Sequence, residues 1–247
     1  MLKLDSEAIR QFTVHLHVHH PGPKDATADA DPPHTRRRIY LATKRALDVV
    51  GSAALLLLLA PLFLLIAALV KLGSTGPVFF EQVRVGQWMK SFKILKFRTM
   101  YVNVDEKLHQ QYVTWFITSS GEGTPGHTEV FKLTHDPRIT PIGRFLRRTS
   151  LDELPQLWNV LRGDMSLVGP RPPIPYELEQ YQPWHCRRLL DAKPGITGLW
   201  QVTGRSRTTF NEMVRLDLRY ARTCSLWTDV KILLATPGAV ISGKGAG

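Results

Sequence analysis

From Val49 to Val70 the chain carries no charged residue and is dominated by Leu and Ala. No other feature constrains the fold as strongly. As one straight helix the run would span roughly 33 Å, enough to cross the hydrocarbon core of a bilayer, and it is long for a buried core helix. Pro61 interrupts it. A proline removes one helical hydrogen bond and crowds the carbonyl four residues earlier, so the axis must bend. Basic residues flank both ends: Arg36, Arg37, Arg38, Lys44 and Arg45 before the run, and Lys71, Arg84, Lys90, Lys93 and Lys96 after it. Equal basic flanks leave a membrane span with no preferred orientation. A helix that enters, turns at Pro61 and leaves by the same face puts both clusters on one anionic surface. The expected form over 41–72 is therefore a re-entrant helical hairpin rather than a span.

The net charge of +11 favours an anionic partner. Nucleic-acid binding explains the charge but not the apolar run, so no nucleic-acid partner is expected. A non-enzymatic membrane adaptor that holds anionic lipid is a rival of a different class. The two cysteines, Cys186 and Cys224, lie far apart and form no CxxC, so neither a disulfide framework nor a zinc module is indicated and a reducing compartment is the simpler reading.

Residues 1–40 read as a poorly ordered tail, since Pro, Asp, Ala and His mix there without apolar periodicity. Val78–Val85 and Ser91–Phe97 read as two strands around a Gly86-Gln87 turn. The stretch 101–135 reads as a helix followed by a Gly-rich loop. Leu154, Leu157, Trp158 and Leu161 fall at helical spacing and predict one buried face. Asp152 suits the N-cap of that helix, Pro155 its first turn and Gly163 its C-terminal stop. Pro194-Gly195-Ile-Thr-Gly198 reads as a tight turn. Phe210–Ala221 and Leu226–Val240 read as helices, the second broken at Pro237-Gly238. The fold class is mixed α/β.

The segment Arg144–Pro173, RFLRRTSLDELPQLWNVLRGDMSLVGPRPP, carries the chemistry. Arg144, Arg147 and Arg148 precede an adjacent carboxylate pair, Asp152 and Glu153; Arg162 and Arg171 follow it. Guanidinium groups bind phosphate bidentately and, beside a helix start, make a diphosphate cradle. Carboxylates there repel a phosphorylated substrate unless a divalent cation intervenes, and Mg²⁺ is the hard, oxygen-seeking candidate. A carboxylate so placed can also attack phosphorus and form an acyl phosphate. The bland alternative is a cap at Asp152 and a favourable first-turn charge at Glu153.

Residues 44 to about 240 resemble the bacterial sugar transferase family, the monotopic polyprenyl-phosphate phosphoglycosyl transferases. The matching segments are KRALDVV at Lys44–Val50, the apolar run with Pro61, GPVFFEQVRVG at Gly76–Gly86, FKILKFRTM at Phe92–Met100, DPRITPIGRFLRRTSLDELPQLWNVLRGDMSLVGPRP at Asp136–Pro172 and KPGITGLWQVTGR at Lys193–Arg205. The resemblance implies a membrane-associated enzyme on the cytoplasmic face of a bacterial inner membrane. It implies a catalytic domain at 73–247, with surface amphipathic helices, that moves a phospho-sugar from a UDP-sugar to a polyprenyl phosphate such as undecaprenyl phosphate and releases UMP. This would initiate exopolysaccharide, capsule or O-antigen synthesis. Asp152 would be the nucleophile. Glu153 would hold Mg²⁺ with it or act as a base. Lys96, Arg147, Arg171 and Arg205 would contact phosphate, and Asp229, in WTDVKI, would support the nucleotide or the fold. At the membrane bend the family's frequent Ser-Pro is Ala60-Pro61. The match implies a compact form without the multi-span N-terminal half of larger relatives. The sugar and the oligomeric state, a homo-oligomer included, stay open.

Overall fold

The computed structural model describes residues 34–102, 107–118, 136–204 and 208–241. Most of the 1–40 tail and the loop of the 101–135 insertion lie outside these. The chain divides into two compact units, Met1–Lys44 and Arg45–Gly247. The elements below belong to the second unit, apart from the first turns of α1.

The apolar run forms two helices, α1 (His34–Leu58) and α2 (Ala60–Gly73), bent by 62° at Leu59. Leu59 keeps its bond to the Leu55 carbonyl, and Phe63 bonds to Leu59, both at 2.9 Å. Pro61, in the first turn of α2, has no N–H for the Leu57 carbonyl, so the bend falls where proline chemistry puts it. Among the described residues no single helix is long and apolar enough to cross a membrane; the bent pair passes that test together, by length and composition. Its apolar surface is divided. Ile66 and Val70 pack with Phe97 and Leu146 in a core that also takes in Phe63, Ile142 and Leu154. Leu57, Leu58, Leu64, Leu65 and Leu72 stay exposed.

Strands β1 (Phe79–Val85) and β2 (Ser91–Phe97) pair antiparallel, close to the predicted bounds. The turn is not centred on Gly86-Gln87. Trp88 and Met89 both take positive φ, and the Lys90 N–H closes on the Gln87 carbonyl at 3.3 Å. Two positive φ values are what a two-residue hairpin turn of the primed type requires. Helix α3 (Lys107–Thr118) is the helical part of the insertion.

Helix α4 (Pro141–Thr149) begins at Thr140, whose hydroxyl accepts from the Gly143 N–H at 3.0 Å. A Cβ on Gly143 would lie 2.1 Å from the Thr99 carbonyl oxygen, so only glycine lets α4 approach the strand end this closely. Helix α5 (Gln156–Arg162) stops at Gly163, which takes the left-handed conformation expected of it. Its buried face differs from the prediction. Trp158 is 48% exposed, whereas Asn159 and Val160 are 0% exposed. Asn159 is buried because it completes the edge of β2: its Nδ2 donates to the Lys93 carbonyl at 2.7 Å and its Oδ1 accepts from the Leu95 N–H at 3.0 Å.

The predicted turn at Pro194–Gly198 is partly a strand. β3 (Ser166–Val168) and β4 (Gly195–Thr197) pair parallel. A Cβ on Gly195 would come within 2.0 Å of the Gly169 nitrogen, so close backbone approach demands glycine there. Helices α6 (Pro183–Asp191), α7 (Leu199–Thr203), α8 (Phe210–Thr223) and α9 (Leu226–Ile241) complete the chain. α9 runs through Pro237 rather than breaking at it. Trp88 is exposed, Trp184 half-buried and Trp200 buried.

Asn159→Ala would leave two β2 backbone groups without partners, an expected loss of about 2–4 kcal/mol. Trp158→Ala, one residue away in sequence but at an exposed position, is expected to cost less than about 1 kcal/mol. Denaturant unfolding of the two variants checks the order, and a costlier Trp158 change would contradict it.

Candidate active site

Asp152 and Glu153 do not sit where the capping argument expects. Ser150 takes a left-handed conformation, φ 56°, at the end of α4, and a single 3₁₀ turn, Leu151–Glu153, follows before α5. Asp152 is therefore inside a tight turn, and Pro155 takes the N-cap position of α5. A non-glycine residue at positive φ costs about 1 kcal/mol. Here it reverses the chain between two helices and sets both carboxylates on that turn.

Glu153 is the hub. Its Oε1 lies 2.7 Å from Lys96 Nζ, on β2, and 3.7 Å from Arg171 Nη1, in the Gly-Pro-Arg-Pro-Pro turn. Burial by itself would push its carboxyl up, but Lys96 and Arg171 more than offset this and bring it down to about 2. Lys96 is lowered from its ordinary value, chiefly by burial, with Glu153 opposing. Arg84 is buried beneath them. It donates from Nη1 to the Pro172 carbonyl at 2.9 Å and from Nε and Nη2 to Gln82 Oε1. Burial, reinforced by Arg171, lowers it to about 10. Gln156, buried, joins these residues around a crevice of about 10 Å³, close to the volume of one water.

Asp152 is 8% exposed. Its negative charge acts on Lys96 and on Arg147. Arg147 is held by Thr99, whose hydroxyl accepts from Nε at 2.9 Å. Burial lowers the Arg147 guanidinium and Asp152 opposes that. The structure thus groups Lys96, Arg147, Asp152, Glu153 and Arg171. Asp229 does not line the crevice; it is buried in α9 and accepts from the Tyr220 hydroxyl at 2.6 Å, beside the Val168 carbonyl at 3.2 Å. Arg205 lies outside the described residues.

Four contributors escaped the sequence reading. Arg84 was grouped with the surface charges, yet it supports the turn that carries Arg171. Thr99 orients Arg147. Arg45, also grouped with the basic flank, donates to the Val160 and Leu161 carbonyls at 2.6 and 2.8 Å and so caps α5. Only Gln156, three residues beyond Glu153 and thus one helical turn on, had a local signal.

The family model described as bacterial sugar transferase matches residues 39–243. This chain belongs to the bacterial sugar transferase family. Among its relatives in that family, the UDP-galactose-lipid carrier transferase of Erwinia amylovora is 44% identical over 82% of this chain and 41% of its own length. The exopolysaccharide production protein ExoY of Rhizobium meliloti is 43% identical over 82% of this chain and 87% of its own. The UDP-glucose:undecaprenyl-phosphate glucose-1-phosphate transferase of Escherichia coli is 42% identical over 78% and 39%. The chain therefore spans about two fifths of the first and third of these sugar transferases and most of the second.

A carboxyl whose value falls on folding adds stability above its unfolded value, here near 4.5, and loses it as pH falls toward 2. The difference in unfolding free energy between the unaltered chain and Glu153→Gln is therefore expected to be largest above pH 4.5 and to close below it. A difference that does not vary with pH would mean the Glu153 charge contributes nothing.

Proposed function

We propose that this sugar transferase moves a phospho-sugar from a UDP-sugar to undecaprenyl phosphate in two displacements. The names of the relatives support the substrates: a UDP-galactose-lipid carrier transferase and a UDP-glucose:undecaprenyl-phosphate glucose-1-phosphate transferase. The observation that carries the mechanism is the unequal setting of two adjacent carboxylates. Glu153 is tied by Lys96 and Arg171, while Asp152 faces the field of Arg147 and Lys96.

In the first step an Asp152 carboxylate oxygen attacks the β-phosphorus of the UDP-sugar. The bond from that phosphorus to the bridging oxygen breaks, and UMP leaves with the electron pair. The phospho-sugar stays on Asp152 as an acyl phosphate. In the second step a phosphate oxygen of undecaprenyl phosphate attacks the same phosphorus, and the Asp152 carboxylate is released. Arg147, Arg171 and Lys96 oppose the charge that builds on the phosphoryl oxygens in both steps, and Arg205 is assigned to the same phosphates.

Mg²⁺ fits this donor set as a substrate-borne ion. Among the described residues no group of three His, Cys, Asp or Glu is placed to hold a metal, but Mg²⁺ is commonly bound by one or two carboxylates together with substrate phosphates and water. Asp152 and Glu153 Oε2, the oxygen away from Lys96, would hold it. When bound it neutralises diphosphate charge.

The bent pair α1–α2 enters the bilayer from the cytoplasmic face of a bacterial inner membrane and returns to it, with the exposed Leu57, Leu58, Leu64 and Leu65 toward lipid. Exposed Trp227, Leu234 and Ile241 on α9 suit the interfacial zone. The lipid acceptor reaches the site from that membrane. The reaction would begin assembly of an exopolysaccharide, capsule or O-antigen.

The test is product identity with full-length chain in membranes. UMP release from a UDP-sugar, and exchange of labelled UMP back into it without lipid acceptor, are expected. Asp152→Asn should abolish both, along with the phospho-enzyme adduct detected by intact mass. Release of UDP in place of UMP, or full exchange by Asp152→Asn, would overturn the scheme.

A further inference from the structure

On the outer side of α8 lies a groove of about 470 Å³ that the proposed reaction does not use. Its walls are Trp184, from the first turn of α6, and Arg215, Leu218, Arg219 and Arg222 along α8. The three arginines are four and three residues apart, so they fall on one helical face. All three are exposed, and none forms an ion pair among the described residues. That contrasts with Arg188 and Asp217 on the opposite faces of α6 and α8, which pair at 2.7 Å in the interior. Among the described residues no acidic side chain lines the groove, while Trp184 is fixed by donating its Nε1 to Gln182 Oε1 at 2.8 Å and by packing on the His185 ring at 4.2 Å. The groove therefore combines three guanidiniums, unpaired among the described residues, and one oriented, amphipathic ring.

The chain continues from Arg222 and Thr223 into α9 within three residues. There Trp227 is 65% exposed, with Lys231 Nζ 5.3 Å from its ring centre. Val230, Leu234 and Ile241 extend the same exposed apolar stripe. A row of bare arginines that leads into exposed Trp, Leu and Ile is the composition of a surface that meets headgroups and acyl chains together.

We infer that the Trp184–Arg215–Arg219–Arg222 groove binds the phosphate of an anionic phospholipid headgroup. The inference rests on the membrane association proposed above. Guanidiniums take the phosphate oxygens bidentately, the Trp184 ring lies at the glycerol level, and α9 rests beside the acyl chains. The groove thereby adds an attachment point separate from the bent helices and fixes the rotation of the catalytic unit on the bilayer.

The experiment is partition of the full chain between detergent and vesicles of phosphatidylcholine, alone or doped with phosphatidylglycerol. Circular dichroism verifies that each variant is folded. The unaltered chain is expected to prefer the doped vesicles. R215Q/R219Q/R222Q should lose that preference by roughly a hundredfold, at about 1 kcal/mol for each basic residue near an anionic surface, while keeping its partition into neutral vesicles. Trp184→Ala, which leaves net charge unchanged, should lose it severalfold. If the triple variant keeps the preference, the inference is wrong. If Trp184→Ala has no effect, a diffuse field rather than a groove is at work, and the inference is also wrong. If inorganic phosphate or UMP at millimolar levels protects the groove and removes the preference, the ligand is a soluble phosphate and the lipid assignment falls. No partition into either kind of vesicle would instead refute membrane association itself.

Discussion

The Glu153 carboxylate, pinned between Lys96 and Arg171, is the contact on which the architecture of the site turns. It joins three segments that are distant in sequence: the end of a β-hairpin, a 3₁₀ turn between two helices and a proline-locked loop. Such a link is costly to form. Lys96 and Arg84 are both lowered by burial, which records the penalty of taking cations out of water. One anion at their centre offsets part of that. The proline-rich turn is held a second time by the Arg84 bond to Pro172 and by the Val85 N–H on the Pro173 carbonyl at 2.9 Å. Arg171 therefore reaches Glu153 from a stiff support.

The apolar run is bound into the same framework. Asp48, near its start, accepts from Ser166 Oγ at 3.1 Å and from the Leu167 N–H at 2.9 Å, which fixes α1 to β3. Arg98, just past β2, donates to the Ser74 and Thr75 carbonyls at 2.7 and 2.5 Å and closes the end of α2. The run is thus neither a free membrane helix nor a core helix. One face builds protein interior around Ile66 and Val70 and the other is left bare. Charged residues at both ends, which composition alone assigns to a lipid surface, are in good part internal: Arg45 caps α5, Arg84 braces the proline-rich turn and Lys96 meets Glu153.

What was legible in the sequence follows from the range of the interactions concerned. The β-hairpin, α8, α9 and the Gly163 stop rest on periodicity and on single-residue backbone preferences, both local properties. The acidic pair and its arginines stood close together in the chain and so could be read as one cluster. Misreadings arose where a polar group was buried by a distant partner. Helical spacing assigned Trp158 to the interior because it is apolar, but the edge of β2 needed an amide, and Asn159 took that side. Asp152 was read as a cap because Asp before an apolar run usually caps; the left-handed Ser150 instead inserted a 3₁₀ turn. Pro237 was read as a break, yet α9 carries it at an exposed position, and Leu233, whose carbonyl loses its helical partner, is exposed as well.

Two carboxylates one residue apart would ordinarily share a fate, since each raises the other's cost of ionisation. This site separates them by geometry. The 3₁₀ turn sends Glu153 toward β2 and the proline-rich loop, where two cations hold it ionised, and leaves Asp152 under Arg147, which Thr99 holds from the far side. Both close cations sit on Glu153 Oε1, which ties that oxygen to β2 and to the proline-rich loop. Asp152 lies instead in the field of Arg147 and Lys96, the setting from which the proposed reaction starts. The different surroundings of Asp152 and Glu153 are thus a consequence of the turn that carries them, and the turn depends on one serine in a conformation that serine seldom adopts.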